Sequence, residues 1–250
     1  MTHGIFGAGS NWRGIARKIT EQRPEWGVVL VDLRQHGRSE AGAPPYELDA
    51  CAQDLLALFE VMPITAISGH SFGGKVVLAT RRTAPAALRQ TWVLDATPSA
   101  RPDAERDHDS TVTKVLALME GLPKTWTRRD QFAEAIVAAG QAPALAQWLA
   151  MNVVPDPSGA FVLRLDLSAM REMLHDYYTQ DLWQVVEGTT YPGDVELVIA
   201  DRSSSVSDAD LRRLADAPPH VHVHHVAAGH WLHLDTPNEV VELFARDLPA

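Results

Sequence analysis

Apolar residues in this chain fall into two alternating kinds of pattern. Short runs such as Val28-Val29-Leu30-Val31 and Leu197-Val198-Ile199-Ala200 have no polar alternation, as expected of strands buried on both faces. Strands are predicted over Gly27 to Asp32, Ile64 to Ser68, Thr91 to Asp95, Val195 to Ala200 and His220 to Val226. Between the first two, Ala52, Leu55, Leu56 and Phe59 recur at helical spacing and make one apolar stripe. Gly74 to Arg82 is also helix-like. At the end of the chain Thr236-Pro237-Asn238-Glu239 offers an N-cap Thr, a Pro at the first helical position and a Glu to complete a capping box. Strands alternating with helices predict a mostly parallel sheet with helices on both faces.

Residues 101–187 break the alternation. They contain helix-like stretches at Val112 to Met119 and Gln131 to Ala139, and the loop Pro155-Asp156-Pro157-Ser158-Gly159. This region is expected to be a helical cap insertion, with 1–100 and 188–250 forming the core. Its aromatic residues Trp126, Trp148, Phe161, Tyr177, Tyr178 and Trp183 either line an acyl pocket or pack the insertion. Neither an internal repeat nor a low-complexity tract is evident.

Composition narrows the function classes. With 46% hydrophobic and 22% charged residues, a chain of this length can bury a sizeable core. A formal net charge of -10 argues against nucleic acid and anionic membrane surfaces as partners. Cys51 is the single cysteine, which excludes an intramolecular disulfide. The amino terminus does not read as a leader, and no apolar run is long enough to span a membrane, so a soluble, cytoplasmic protein is expected. His220, His222, His224 and His225, with His230 and His233 nearby, raise the question of zinc. Without a cysteine or an evident supporting shell, a partly exposed strand is the better reading and no metal is expected.

The candidate chemistry centres on Gly69-His70-Ser71-Phe72-Gly73, placed between a predicted strand and a predicted helix. Such a strand-to-helix turn is sharp, so its flanks must be small, and it lifts the Ser hydroxyl above the sheet. The Phe72 amide would then face a forming oxyanion at a helix N-terminus. A serine needs a base and an orienting acid, in the chain order Ser, acid, His. His230, in Ala228-Gly229-His230-Trp231 after the last strand, is the expected base. Two strand ends offer the acid, Asp95 and Asp201, and Asp95 is favoured because it closes the strand after the nucleophile helix. Asp208 is better explained by a helix N-terminus.

Several separated motifs resemble the α/β-hydrolase superfamily, and within it the small esterases related to abhydrolase-domain-containing protein 11 and bacterial acyl-CoA thioester hydrolases. They are His3-Gly4-Ile5-Phe6-Gly7 with Ser10-Asn11-Trp12, Asp32-Leu33-Arg34-Gln35-His36-Gly37-Arg38-Ser39, the elbow extended through Gly74-Lys75, Asp95-Ala96-Thr97-Pro98 and Gly229-His230-Trp231. The resemblance implies an α/β-hydrolase fold. It also implies that the backbone amide of Ile5, with Phe6 as the alternative, joins that of Phe72 in an oxyanion hole. Asp95 gains as the acid, since the loop where many members carry theirs reads Arg202-Ser203-Ser204-Ser205.

One departure from that pattern has a structural consequence. Only Met1 and Thr2 precede His3, so the N-terminal strands of the fold are expected to be missing. The sheet centre should then be open and the oxyanion loop should lack strand support. The expected activity is hydrolysis of carboxylic esters or thioesters of small acyl substrates through an acyl-enzyme, needing no metal or organic cofactor. The same triad could instead serve carbon-carbon bond hydrolysis or perhydrolysis, and a hydrolase-fold binding protein without turnover is the reading from another class.

Overall fold

Four of the predicted strands pair into one parallel sheet; the fifth, the one expected first in the chain, does not form. The computed structural model describes residues 1–105 and 111–249. A 3₁₀ turn at Gly9–Trp12 leads into α1 (Arg13–Gln22), followed by α2 (Leu48–Phe59), β1 (Ala66–His70), α3 (Phe72–Arg81) and β2 (Gln90–Leu94). Next come α4 (Thr111–Glu120), β3 (Thr125–Trp126), α5 (Arg129–Ala138), α6 (Pro143–Leu149), β4 (Val153–Pro155), β5 (Phe161–Leu163), α7 (Leu167–Thr179) and α8 (Trp183–Glu187). The chain then returns through β6 (Asp194–Ala200), α9 (Asp208–Leu214), β7 (Val221–Val226), α10 (Leu232–Asp235) and α11 (Pro237–Asp247).

The main sheet has the order β1-β2-β6-β7, all parallel. Successive side chains on a strand point to opposite faces, and the apolar runs supply both. Val93 and Leu197 join Leu55 of α2 and Val76 and Val77 of α3 on one side. Trp92, Leu94 and Val198 join Ile15 and Ile19 of α1 and Val240, Val241 and Phe244 of α11 on the other. Between β2 and β6 the structure holds the expected helices, and also a small antiparallel sheet, β3-β5-β4. Its strands span two or three residues, too few to establish a period in the sequence. The predicted insertion includes residues 106–110, which lie outside the described residues. No helix among those described is long and apolar enough to cross a membrane.

Two local expectations are corrected. Thr236 makes no side-chain cap bond at the start of α11; its hydroxyl instead donates to Leu232 O at 3.5 Å, because α10 runs directly into α11 and turns Thr236 back over it. The capping box occurs at α9, where Ser207 accepts from the Asp210 amide and Asp208 lies in the first turn.

The segment predicted as a strand from Gly27 to Asp32 pairs only at Val31, through an isolated bridge to Thr2. A strand exists only through its ladder, and the neighbour here is two residues long. Thr2 bridges Val31 on one side and Gly69 on the other, both in parallel sense. Its N–H donates to Ser68 O at 2.7 Å, the His70 N–H donates to Thr2 O at 3.4 Å, and the Val31 N–H donates to Met1 O at 3.0 Å. Beyond Met1 the slot between the two segments is a cavity of about 660 Å³, walled by Val28, Val29, Leu55, Ile64, Ala66 and Trp92 among others.

The sheet centre is therefore open along most of its length, as the sequence implies. The expected consequence for the loop does not follow. Met1 and Thr2 clasp the carboxyl end of the sheet, and His3 Nε2 accepts the Leu33 N–H at 3.0 Å, so the segment after them is anchored on both sides.

The alternation of a parallel ladder turns the Ser68 N–H and the Ala66 carbonyl toward the slot. A chain lengthened ahead of Met1 by five alternating β-branched residues should occupy it. Ladder bonds at ~1 kcal/mol each and buried side chains at ~1.5–3 kcal/mol each, less ~1–2 kcal/mol per residue for ordering the backbone and more for the side chains, leave a few kcal/mol, enough to raise Tm by about 10 °C. Calorimetry checks this, and an unchanged Tm would show that the slot does not accept a strand.

Candidate active site

β1 ends at His70 and α3 begins at Phe72, leaving Ser71 as the whole turn. Its backbone sits at φ 53° and ψ -118°, a region that costs a non-glycine residue free energy and persists only where the surroundings enforce it. The Ser71 N–H donates to Leu94 O at 3.0 Å, which ties the turn to β2. The two glycines of the motif are sterically required. A Cβ on Gly69 would lie 2.0 Å from Gly73 O, and one on Gly73 would lie 2.6 Å from His3 O.

His230 Nε2 lies 3.1 Å from Ser71 Oγ, and His230 Nδ1 donates to Asp95 Oδ2 at 2.7 Å. Asp95 follows β2 directly, has φ 46° and is 1% exposed. Its carboxylate also accepts from the Ala200 N–H at 3.2 Å and from Ser203 Oγ at 2.6 Å. With the Nδ1 proton directed at Asp95, Nε2 is left as an acceptor for the Ser71 hydroxyl. Ser71, His230 and Asp95 thus meet in one hydrogen-bonded series. Asp201 does not join it: its Oδ1 pairs with His225 at the surface, 2.7 Å away.

The amides suggested for an oxyanion site come from two segments. Phe72 is the first residue of α3, where the N–H has no helical acceptor. The loop after His3 closes as a β-turn, with the Gly7 N–H donating to Gly4 O at 3.0 Å and Phe6 at φ 64°. It packs against the elbow, since a Cβ on Gly4 would be 3.3 Å from Ser71 Cβ. Asn152 Nδ2 donates to Phe6 O at 2.8 Å and fixes the far peptide of the turn. Ile5, Phe6 and Phe72 are thereby gathered beside Ser71.

Some residues around the site were not anticipated. His70 Nε2 donates to His230 O at 2.7 Å, so the elbow itself holds the loop that carries His230. Burial keeps the His70 pKa well below the ordinary value of 6.5, and the ring is neutral. Ser205 Oγ lies 2.9 Å from His230 Nδ1 and 3.0 Å from Ser203 Oγ. The serine run noted for its missing acid therefore supplies hydroxyls around the Asp95 carboxylate, which follows another strand. Lys75 of α3 is buried, and its Nζ donates to Ser99 O, Tyr177 O and Gln180 O at 2.9, 2.7 and 2.7 Å. It pins the end of α7 to the elbow helix, and burial lowers its pKa to about 8. Nothing in the spacing of these residues marks them, because each acts through a contact across the fold.

The aromatic residues of the intervening region divide. Trp126 packs edge-on against Phe132, and Trp183 Nε1 donates to Ser99 Oγ at 2.7 Å. Trp148 instead reaches Trp231, beside His230, with ring centroids 4.7 Å apart, and Tyr177 lies 6.0 Å from Phe72. Two of the β7 histidines have separate partners: His224 Nε2 bonds Glu196 at 2.7 Å and His225 bonds Asp201. Just before the strand, His220 Nε2 donates to Val186 O at 3.0 Å.

The model of the alpha/beta hydrolase family matches residues 1–243. The chain belongs to that family. It is 26% identical to the sn-1-specific diacylglycerol lipase ABHD11 of Danio rerio, over 96% of this chain and 74% of the relative. It is also 26% identical to the esterase YbfF of Escherichia coli, over 99% of this chain and 91% of the relative. Among solved structures, a marine microorganism esterase superposes with a TM-score of 0.81 at 21% identity, covering 97% of this chain and 91% of that one. At that identity the superposition speaks to the fold alone, and the fold of this chain is that of an α/β-hydrolase.

Proposed function

We propose that this chain hydrolyses carboxylic esters or thioesters of small acyl groups through Ser71, His230 and Asp95. The observation that carries the reading is the bonded series from Ser71 Oγ to His230 Nε2, at 3.1 Å, and from His230 Nδ1 to Asp95 Oδ2, at 2.7 Å. It lies on a strained elbow with free amides alongside. The esterase and lipase names of the relatives agree with it.

In the proposed reaction Ser71 Oγ attacks the acyl carbonyl while His230 Nε2 takes its proton, and Asp95 stabilises the imidazolium and holds its tautomer. The amides of Phe72 and Ile5 face the oxyanion of the tetrahedral intermediate. His230 returns the proton to the departing alcohol or thiol. Water, deprotonated by the same nitrogen, then attacks the acyl-serine; collapse releases the carboxylic acid and restores the Ser71 hydroxyl. His70, Ser203 and Ser205 position the base and acid without touching the substrate.

A fluorophosphonate probe should label the wild-type protein and leave Ser71→Ala unlabelled, with ester hydrolysis by the variant falling to background. Folded wild-type protein that takes no label would overturn the assignment. Ester and thioester series of graded chain length would set the acyl preference.

A further inference from the structure

Beside the proposed site lies a pocket of about 350 Å³ whose walls include Phe6, Arg13, Asp32, Arg38, Trp148 and Arg164. That volume suits a small ligand. Its charge is the reverse of the chain's as a whole, which is -10: three guanidinium groups line it against one carboxylate. The three arrive from separate parts of the sequence. Arg13 opens α1, Arg38 lies in the turns after Asp32, and Arg164 follows β5.

Several arginines elsewhere on this surface are paired with carboxylates, as in Arg34 with Asp54, Arg82 with Asp49, Arg171 with Glu120 and Arg213 with Glu187. Among the described residues, neither Arg13 nor Arg38 has such a partner, and Arg164 uses its Nη1 to donate to the Gly37 carbonyl. Asp32 does not serve them either. Its Oδ1 accepts the Gly9 N–H at 2.7 Å and its Oδ2 accepts the Arg38 N–H at 2.8 Å, so the carboxylate is turned to the backbone. A planar guanidinium fork without a protein acceptor matches a carboxylate or phosphate.

Two of the pocket's walls, Phe6 and Trp148, also adjoin the site. Phe6 belongs to the turn that packs on Ser71, and Trp148 stacks edge-on against Trp231, next to His230, with centroids 4.7 Å apart.

Resting on the acyl-hydrolase reading above, we propose that this pocket receives an anionic group of the substrate, a carboxylate or phosphate carried a few atoms from the scissile carbonyl. The preferred substrates are then anionic esters or thioesters, and the arginines set specificity without entering the chemistry. Charge complementarity of this kind also steers approach in a salt-dependent way.

The test compares p-nitrophenyl hemiglutarate, which carries a carboxylate, with p-nitrophenyl hexanoate, its neutral counterpart. In the Arg13→Gln/Arg38→Gln variant the ratio of kcat/KM for the anionic over the neutral ester should fall at least tenfold. Raising ionic strength should lower the same ratio in the wild type and much less in the variant. Equal losses on both esters, or an unchanged ratio, would overturn the proposal.

Direct binding separates this from failure of the acyl-hydrolase reading. Calorimetry on Ser71→Ala with glutarate and with inorganic phosphate reads the pocket without turnover. Arginine-dependent binding of glutarate identifies a carboxylate site and arginine-dependent binding of phosphate a phosphate site. Binding of neither, or binding that survives the double substitution, refutes the pocket whatever Ser71 does.

Discussion

Replacing Asp95 by Asn is expected to lower kcat/KM by about 10⁴-fold, the scale seen when a triad carboxylate becomes an amide, whereas Asp201→Asn should stay within about twofold of wild type. The reason lies in tautomers rather than in shape. Asp95 accepts the Nδ1 proton of His230 at 2.7 Å, which leaves Nε2 unprotonated toward Ser71 Oγ. An amide in the same place can donate to Nδ1, moving the ring proton to Nε2, where it can no longer accept from Ser71. The imidazolium formed during attack also loses its counter-charge. Asp201 has no comparable part, since its carboxylate faces His225 on the surface. Full activity in Asp95→Asn, with a severe loss in Asp201→Asn, would reverse the assignment. Thermal melts on both variants distinguish a chemical loss from unfolding.

Acid should unfold this protein early. Burial holds His3 and His233 at about 4 and His36 at about 3, against an ordinary 6.5, and holds His70 well below 6.5. For His36 and His70, neighbouring histidines lower the value further: His3 in the first case, His230 and His233 in the second. All four are neutral in the folded state and protonate readily when unfolded. Below about pH 6.5 the unfolded chain therefore binds more protons, and stability falls as pH falls, until the folded-state values near 4 and 3 are passed. The loss approaches ~1.4 kcal/mol per pH unit for each ring, so four rings together exhaust a typical domain's ~5–15 kcal/mol within roughly two to three units.

Tm should drop by at least about 10 °C between pH 7 and pH 5, since ~1 kcal/mol shifts Tm by ~2–4 °C in a domain of this size. His36→Asn, whose amide retains a donor for Arg34 O, should move the acid midpoint downward. Among the described residues His36 Nε2 is buried without a hydrogen-bond partner, so no other hydrogen bond is lost; the packing of its ring on His3, with centroids 4.8 Å apart, is lost, so the variant should melt lower at pH 7 while its acid dependence is shallower. A Tm that stays flat from pH 7 to pH 5 would show that these rings are not held neutral by the fold.

The elbow was legible because it is local. A strand, a Ser between glycines and a helix within a dozen residues leave few alternatives, and the clashes a Cβ would make at Gly69 and Gly73 explain why the pattern admits little else. His230 and Asp95 were legible in a weaker sense: both follow buried strands of one parallel sheet, so both must emerge at its carboxyl edge, near each other and near Ser71. That argument alone does not separate Asp95 from Asp201, which also ends a strand; the direction of two side chains does.

The stretch from Gly27 to Asp32 marks the opposite limit. Its Val-Val-Leu-Val run has the composition of a buried strand, yet a strand is a relation between segments, and among the described residues it bonds to Met1 and Thr2 alone. The capping motif at Thr236 misled for a similar reason, because the helix preceding it decides where its hydroxyl points.

The sequence by itself determined the chain order of the four strands of the main sheet, the elbow and the chemical types that face it, since these follow from local sterics and from the period of apolar positions. Only the tertiary structure decided the rest: which aspartate meets His230, how Met1 and Thr2 clasp the sheet beside the loop after His3, and that Arg13, Arg38 and Arg164 line one pocket. Each of those is a contact between segments far apart in the chain, fixed by packing and hydrogen bonding across the fold, and no local pattern encodes it.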